Sequence, residues 1–136
     1  MTRVFFDTNV LVYAFSSDDR SAIARGLLKS GGVIGIQSLN ELANVLRRKY
    51  KKSWSEVHRS VDVVRNQCDT LVTPDEQVHR LGLQFAERYM PSIFDAMIVA
   101  AAFHADRDIL YCEDMHHGLV IDGKLRIESS FAQTAR

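Results

Sequence analysis

Four acidic side chains come soon after predicted strands, and a fifth, Asp95, fits the same edge of the sheet without being forced there by the sequence. Asp7 directly follows the apolar residues "VFF" and lies inside the run "VFFDTNVLVYAF". Glu41 lies one turn into the helix after the second predicted strand, and Asp95 lies near the start of a long apolar helix. Glu113 and Asp114 directly follow the fourth predicted strand. Since ligands of open α/β sheets bind beyond the carboxyl ends of the strands, we expect an acidic site at that edge.

Such a gathering of carboxylates restricts the chemistry. Three or four carboxylates within a few ångströms repel one another, so either some of them hold protons at neutral pH or a cation neutralises them. Oxygen ligands without His or Cys at a suitable spacing favour a hard divalent ion, Mg²⁺ or Mn²⁺. Such an ion activates water and stabilises charge on a phosphodiester. The predicted reaction class is therefore metal-assisted hydrolysis of a phosphoryl ester.

Helix capping is the alternative explanation for several of these acids. Ser38-x-x-Glu41 and Ser92-x-x-Asp95 both match the capping-box pattern before an apolar run. Asp7 would serve equally well as an Asx-type cap of the turn that follows it. Each of these interpretations accounts for one acid, and none accounts for several acids that converge on one sheet edge.

Short apolar strands alternate with helices along almost the whole chain. Uniformly apolar strands are typical of a parallel sheet that is covered on both faces. The pattern predicts the α/β class, as a three-layer α/β/α sandwich with a mainly parallel central sheet of four to five strands. Asp122-Gly123 between two apolar runs predicts a hairpin or turn. The four main strands are predicted at residues 3–6, 33–37, 70–73 and 109–112.

Composition limits the class of protein. The length of 136 residues fits a single domain over residues 1–136, and 17 basic against 17 acidic side chains give no global basic footprint. The longest strictly apolar run, Ala96 to Phe103, is far too short for a membrane span. No signal-peptide pattern is present, and the two cysteines lack metal-type spacing. We therefore expect a cytoplasmic protein with reduced thiols and no membrane partner.

The basic run "RRKYKK" permits two interpretations. It places five cations in six positions after the helix that carries Glu41. One interpretation is a solvated helix end, where cations suit the helix dipole. The other is a patch that contacts the phosphates of RNA. The residues are Arg47, Arg48, Lys49, Lys51 and Lys52.

Four segments taken in order resemble a known family. They are "FFDTNVLVYAF", "QSLNELANVLRRK", "SIFDAMIVAAA" and "YCEDMHHG". The chain resembles the PIN-domain ribonucleases from about residue 3 to residue 128, and it is most similar to the toxin half of VapBC-type toxin–antitoxin pairs. The resemblance implies a PIN-like fold around a parallel sheet, and an acidic pocket that holds Mg²⁺ or Mn²⁺ and cleaves RNA.

The resemblance also implies roles for individual residues. Asp7, Asp95 and Asp114 would hold the metal, and Glu41 would bind it or position the attacking water. These four residues form the expected catalytic set. Asn9 would support Asp7, and Glu113 is a further ligand or water-orienting group. Family members often carry Thr or Ser two positions before the last acid, whereas this chain has Cys112.

Partners follow from the same resemblance. They are an RNA substrate, most readily single-stranded or looped, a cognate antitoxin protein, and a second copy of the chain in a homodimer. Helices at 20–29 and 53–67 carry apolar residues that the core does not require, so we expect interfaces there. We expect the histidines of "HHG" to be solvated, and Met90, Phe94, Met97 and Phe103 to lie in the core.

Three other functions remain open at this stage. A receiver-type signalling domain needs an acceptor Asp after its third strand, which Asp75 matches loosely, but it also needs a second acid beside Asp7. A dehalogenase-like phosphatase needs D-x-D, and Asn9 replaces the second Asp. A non-catalytic PIN-like module that binds RNA or a partner is the third.

Overall fold

A mainly parallel sheet runs through the centre of the protein. The structure is a computed structural model that describes residues 2–72, 75–90, 92–113, 115, 117–129 and 131. Within these residues the sheet has the strand order β3-β2-β1-β4-β6-β5, in which only β5 runs antiparallel to its neighbour. The strands are β1 (Val4–Phe6), β2 (Val33–Gly35), β3 (Thr70–Val72), β4 (Ile109–Cys112), β5 (Val120–Ile121) and β6 (Leu125–Ser129).

Six helices in the described residues cover the two faces of the sheet. They are α1 (Thr8–Ala14), α2 (Arg20–Lys29), α3 (Ile36–Arg48), α4 (Trp54–Gln67), α5 (Glu76–Tyr89) and α6 (Ile93–His104). Because side chains alternate along a strand, Phe5 and Phe6 of β1 point to opposite faces. Phe5 packs in a core with α5 and α6, and Phe6 packs in a second core with α1 to α4. This arrangement confirms the three-layer α/β/α sandwich.

The strand count and the hairpin agree with the sequence. Five strands are parallel, and the two-residue β5 adds an antiparallel edge. The hairpin between β5 and β6 turns through Asp122 and Gly123, with φ values of 48° and 68°. Asp-Gly suits such a turn, because both central positions require positive φ and these two residues tolerate it better than most.

One predicted helix start is wrong. α3 begins at Ile36, with Gly35 in extended geometry before it, so β2 is shorter and the helix starts earlier than the sequence suggested. Ser38 therefore lies inside the helix, where it is 5% exposed. It does not cap the helix, and the capping-box explanation for Glu41 is withdrawn.

The expectation that Phe94 lies in the core is also wrong. Its side chain is 83% exposed, although Met90 and Phe103 pack against the core as expected. Trp54, at the start of α4, is 60% exposed. Cys68 and Cys112 are both buried and not joined in a disulfide. Within the described chain, no helix has the length and apolarity that a membrane crossing requires.

Candidate active site

The acidic residues gather at the switch point of the sheet, where the strand order reverses on either side of β1. β1 pairs with β2 on one side and with β4 on the other, both in parallel. The backbone N–H of Asp7 donates to the carbonyl oxygen of Tyr111 at 2.9 Å, which fixes the end of β1 against β4. Such a switch point leaves a crevice beyond the strand ends, because the connections on the two sides lead away from each other.

A cavity of about 480 Å³ occupies this crevice, and three of the predicted acids line it. Asp7 enters from the end of β1, Glu41 from the second turn of α3, and Asp95 from the first turn of α6. Asn9 lines it as well. Asp114 lies outside the described residues. Other residues that line the cavity are Thr8, Tyr13, Asn44, Lys49, Tyr50 and Phe94.

Asp7 both caps α1 and lines the cavity. Its Oδ1 accepts a hydrogen bond from the backbone N–H of Thr8 at 2.6 Å, and its carbonyl oxygen accepts from Val10 at 3.2 Å. The residue is only 8% exposed. The cap and the site are therefore compatible, since a carboxylate has two oxygens and can accept several hydrogen bonds.

Thr8 is a site residue that the sequence reasoning did not assign. Its hydroxyl donates to Oε2 of Glu41 at 2.6 Å, and the residue is 7% exposed. This hydrogen bond ties α1 to α3 and fixes the orientation of the Glu41 carboxylate. The only signal in the sequence is the position of Thr8 beside Asp7, because the partner lies 33 residues away.

Asp95 reaches the cavity through the cap of α6. Ser92 is the N-cap residue, and its hydroxyl accepts the N–H of Asp95 at 3.3 Å. This interaction corresponds to one half of the predicted capping box. The cap holds the backbone of Asp95 at the first turn, while the Asp95 side chain lies at the cavity wall.

Glu113 is held beside the cavity by two residues. The Tyr13 hydroxyl lies 2.9 Å from each Glu113 carboxylate oxygen, and an Arg20 guanidinium nitrogen lies 2.5 Å from one of them. The Arg20 guanidinium also stacks 4.1 Å from the centre of the Tyr13 ring. Burial, followed by the hydrogen bond to Glu113, raises the pKa of Tyr13 to about 12. Glu113 thus reaches the cavity wall through Tyr13.

The structure separates the cations of the basic run. Lys49 lines the acidic cavity. Arg47 instead donates to the carbonyl oxygen of Lys52 at 2.9 Å and stacks 4.8 Å from the centre of the Trp54 ring. Lys52 lies 3.9 Å from a carboxylate oxygen of Glu56. Among the cations of this run, all of which the structure describes, Lys49 is the one that lines the acidic cavity.

The donor set of the cavity fits a hard divalent cation. Carboxylates of Asp7, Glu41 and Asp95 and the amide of Asn9 are oxygen donors of the kind that Mg²⁺ and Mn²⁺ prefer. Among the residues that the structure describes, no three His, Cys, Asp or Glu side chains form a ready metal cluster.

Of the two histidines of "HHG", the structure describes His117. His117 accepts the backbone N–H of Ser129 on its Nδ1 at 2.9 Å, which occupies that nitrogen. His116 lies outside the described residues.

Comparison with solved structures finds two with similar folds. They are a toxin–antitoxin complex from Klebsiella pneumoniae and VapC20 of Mycobacterium tuberculosis, described as a Sarcin-Ricin loop cleaving toxin. The first has a TM-score of 0.71 and 18% identity and covers 93% of this chain and 97% of that one. The second has a TM-score of 0.62 and 16% identity, and the match covers 82% of this chain and 89% of the VapC20 chain.

The sequence comparisons differ in what they find. No curated protein matches the chain at a significant level. The model of the PIN domain matches residues 4–117, which include the three acids of the cavity and Asn9. Since this match extends over most of the sequence, the chain belongs to the PIN domain family.

Proposed function

We propose that the chain is a metal-dependent endoribonuclease that hydrolyses phosphodiester bonds in RNA, and that it is the toxin of a type II toxin–antitoxin pair. The observation that carries this proposal is the convergence of Asp7, Glu41 and Asp95 on one cavity from three separate elements. Membership of the PIN domain family supports it, and so does the fold shared with a chain of a toxin–antitoxin complex and with one toxin.

Asp7, Asp95 and Asp114 would hold the cation, which is Mg²⁺ or Mn²⁺. When bound, the ion activates water and stabilises the charge that develops on the phosphodiester. Glu41, held by the hydroxyl of Thr8, would orient the attacking water through its carboxylate. Asn9 would support Asp7, and Glu113 would steady the wall through Tyr13 and Arg20.

Cations near the cavity would offset the repulsion between its carboxylates and the RNA backbone. Lys49 would contact a phosphate, and its position in the wall of the acidic cavity supports this role. Arg48 and Lys51 are further proposed contacts. Arg47 and Lys52 are weaker ones, since Arg47 is engaged with Trp54 and the Lys52 carbonyl oxygen, and the Lys52 ammonium lies 3.9 Å from Glu56. Such contacts supply the salt-sensitive part of RNA affinity.

The proposed protein partners are a cognate antitoxin and a second copy of the chain. One of the similar folds is part of a toxin–antitoxin complex. α4 exposes Trp54 and Val63, so the α2–α4 side of the sandwich is our proposed location for one of these interfaces. Expression of the chain alone is expected to stop growth of the host, and expression together with a small neighbouring gene is expected to restore it.

Cleavage of RNA by the purified chain tests the activity. Wild type, an Asp7→Asn, Asp95→Asn double variant and an Asp62→Asn control are incubated with single-stranded RNA and Mg²⁺ or Mn²⁺, with and without EDTA. Asp62 is an exposed acid on α4, 3.9 Å from Arg65, so its loss leaves the cavity intact. We expect the wild type and the control to cleave RNA, EDTA to stop cleavage, and the double variant to lose at least about a hundredfold in rate.

Equal cleavage by the wild type and the double variant would contradict the proposal. An acylphosphate reagent distinguishes a nuclease from both phosphate-transfer alternatives. Receivers and dehalogenase-like phosphatases form an aspartyl phosphate, and a nuclease does not. The strand order already disfavours a receiver, whose parallel strands follow the order 2-1-3-4-5. Asp75, the loose match to a receiver's acceptor, is the N-cap of α5 and accepts the N–H of Val78 at 2.8 Å.

A further inference from the structure

A second cavity adjoins the acidic one on the side of α5 and α6. It has a volume of about 380 Å³, within the range of small-ligand sites. Its walls are mainly apolar, and their polar or charged side chains are Gln37, Ser38, Glu41, Asp75 and His79. Glu41, Phe94 and Ile98 line both cavities, so the two spaces share a wall. The apolar part consists of Phe5, Val78, Met97 and Ala101.

Phe94 stands out on the shared wall. Its side chain is 83% exposed, although the rest of α6 is largely buried. It directly precedes Asp95, which places an aromatic ring next to an acid of the cavity. Single exposed apolar side chains are common on protein surfaces, but Phe94 also lines both cavities, so its ring is available to a ligand that enters them.

The chemistry of the shared wall selects the occupant. Glu41 lines both cavities and Asp75 lines the second one, so these carboxylates repel an anionic group and disfavour a phosphate inside the second cavity. A nucleobase carries no charge, is planar, and has polar edges that Gln37 and His79 could contact. Unpaired bases of single-stranded RNA stack on aromatic side chains, and such stacking tolerates different bases.

We propose that Phe94 and the adjoining cavity form a stacking subsite for an unpaired nucleobase next to the phosphodiester that the acidic cavity holds. The subsite rests on the ribonuclease function proposed above and deepens it, since it defines single-stranded RNA as the form of substrate. The base lies on the Phe94 ring, and its sugar–phosphate leads past Ile98 into the acidic cavity, which Lys49 also lines.

Fluorescence of 2-aminopurine tests the subsite without relying on cleavage. A set of short single-stranded RNAs carries this base at each position in turn, and its emission falls when it stacks on an aromatic ring. Binding and emission are recorded in Mg²⁺ during the first seconds after mixing with the intact chain. We expect the wild type to quench one position in the RNA.

Four variants define the contact. Phe94→Ala and Phe94→Leu are expected to lose about tenfold in RNA affinity together with the quenching, because neither residue has a ring face. Phe94→Trp is expected to retain both. Ile93→Ala is the matched control, since Ile93 is an exposed neighbour in the same turn and lines neither cavity.

The outcomes separate the subsite from the ribonuclease function. Quenching that depends on Phe94 without any cleavage supports the subsite and contradicts the nuclease. Cleavage with affinity and quenching unchanged in Phe94→Ala overturns the subsite alone, and so does the absence of quenching in the wild type. Full affinity in Phe94→Leu also overturns it, because an apolar side chain without a ring face would then suffice for RNA binding.

Discussion

The hydroxyl of Thr8 connects two parts of the proposed catalytic machinery. It donates at 2.6 Å to Glu41, while the Thr8 backbone N–H donates to the Asp7 carboxylate at the same distance. One residue thus holds two acids from different elements. Thr8 lies at the first position of α1, so the start of that helix sets the direction of both carboxylates.

Thr8→Val tests this positioning role. Valine has a similar shape but no donor, so the Glu41 carboxylate loses a hydrogen bond, and bonds to charged groups contribute about 1.5–3 kcal/mol. We expect the rate of RNA cleavage to fall about tenfold or more, with KM for RNA changing little. Thr8→Ser keeps the donor and is expected to keep most of the activity. Equal rates for the valine and serine variants, with both variants folded by circular dichroism, would refute the role.

Single residues also show how far sequence reasoning reached. The positions of Asp7 and Glu41 followed from acids placed after strand ends, whereas the sequence did not force Asp95 to the same edge. The structure brings these three together. The contact from Thr8 to Glu41 and the exposure of Phe94 did not follow. Phe94 lies in the first turn of α6, and because the middle of that helix is apolar on all sides, periodicity assigns the helix no solvent face that could include Phe94.

At the scale of elements, the four main strands and the helices predicted at 20–29 and 53–67 matched the sequence within two residues. The start of α3 did not, because Gly35 takes an extended conformation with φ −91° and ψ 152° and ends β2 early. A serine followed three residues later by an acid is a local signal for a cap, whereas the position of a helix start also depends on packing against the sheet. The side chain of Ser38 was therefore misassigned.

The contact of Tyr13 with Glu113 links α1 to the end of β4 and predicts a pH dependence of stability. Burial and this hydrogen bond raise the pKa of Tyr13 to about 12, whereas the pKa of a tyrosine in the unfolded chain is about 10. The folded chain therefore holds this proton more tightly than the unfolded chain does. The contribution of this proton to the free energy of unfolding is fully present below about pH 10 and is lost as the pH rises towards about 12.

Tyr13→Phe removes the phenol and with it this dependence. Between about pH 9 and 11.5 we expect the free energy of unfolding of the wild type to fall by on the order of 1 kcal/mol more than that of the variant. Urea denaturation at a series of pH values measures the difference. Tyr111, whose pKa burial also raises, is present in both proteins and cancels in the comparison. Parallel pH profiles for the two proteins would show that the contact does not hold the Tyr13 proton.

At the scale of the whole molecule, the balance of charge is less informative than its distribution. The chain carries 17 basic and 17 acidic side chains, yet three acids share one cavity with Lys49. A protein without net charge attracts RNA weakly over long distances, so the affinity depends on a few local contacts. The sequence predicted the basic run but not that Arg47 would engage Trp54 and Lys52 instead of the cavity.

The salt dependence of RNA binding follows from this distribution. With about three phosphate contacts on single-stranded RNA, the logarithm of the affinity is expected to fall with the logarithm of salt concentration with a slope of about −2. Lys49→Ala is expected to reduce that slope by about 0.7, because it removes one contact. Lys29→Ala, at the end of α2 and outside the acidic cavity, is the control and is expected to leave the slope unchanged. Fluorescence anisotropy with a labelled RNA at several salt concentrations measures all three slopes, and equal slopes for Lys49→Ala and the wild type would remove Lys49 from the RNA interface.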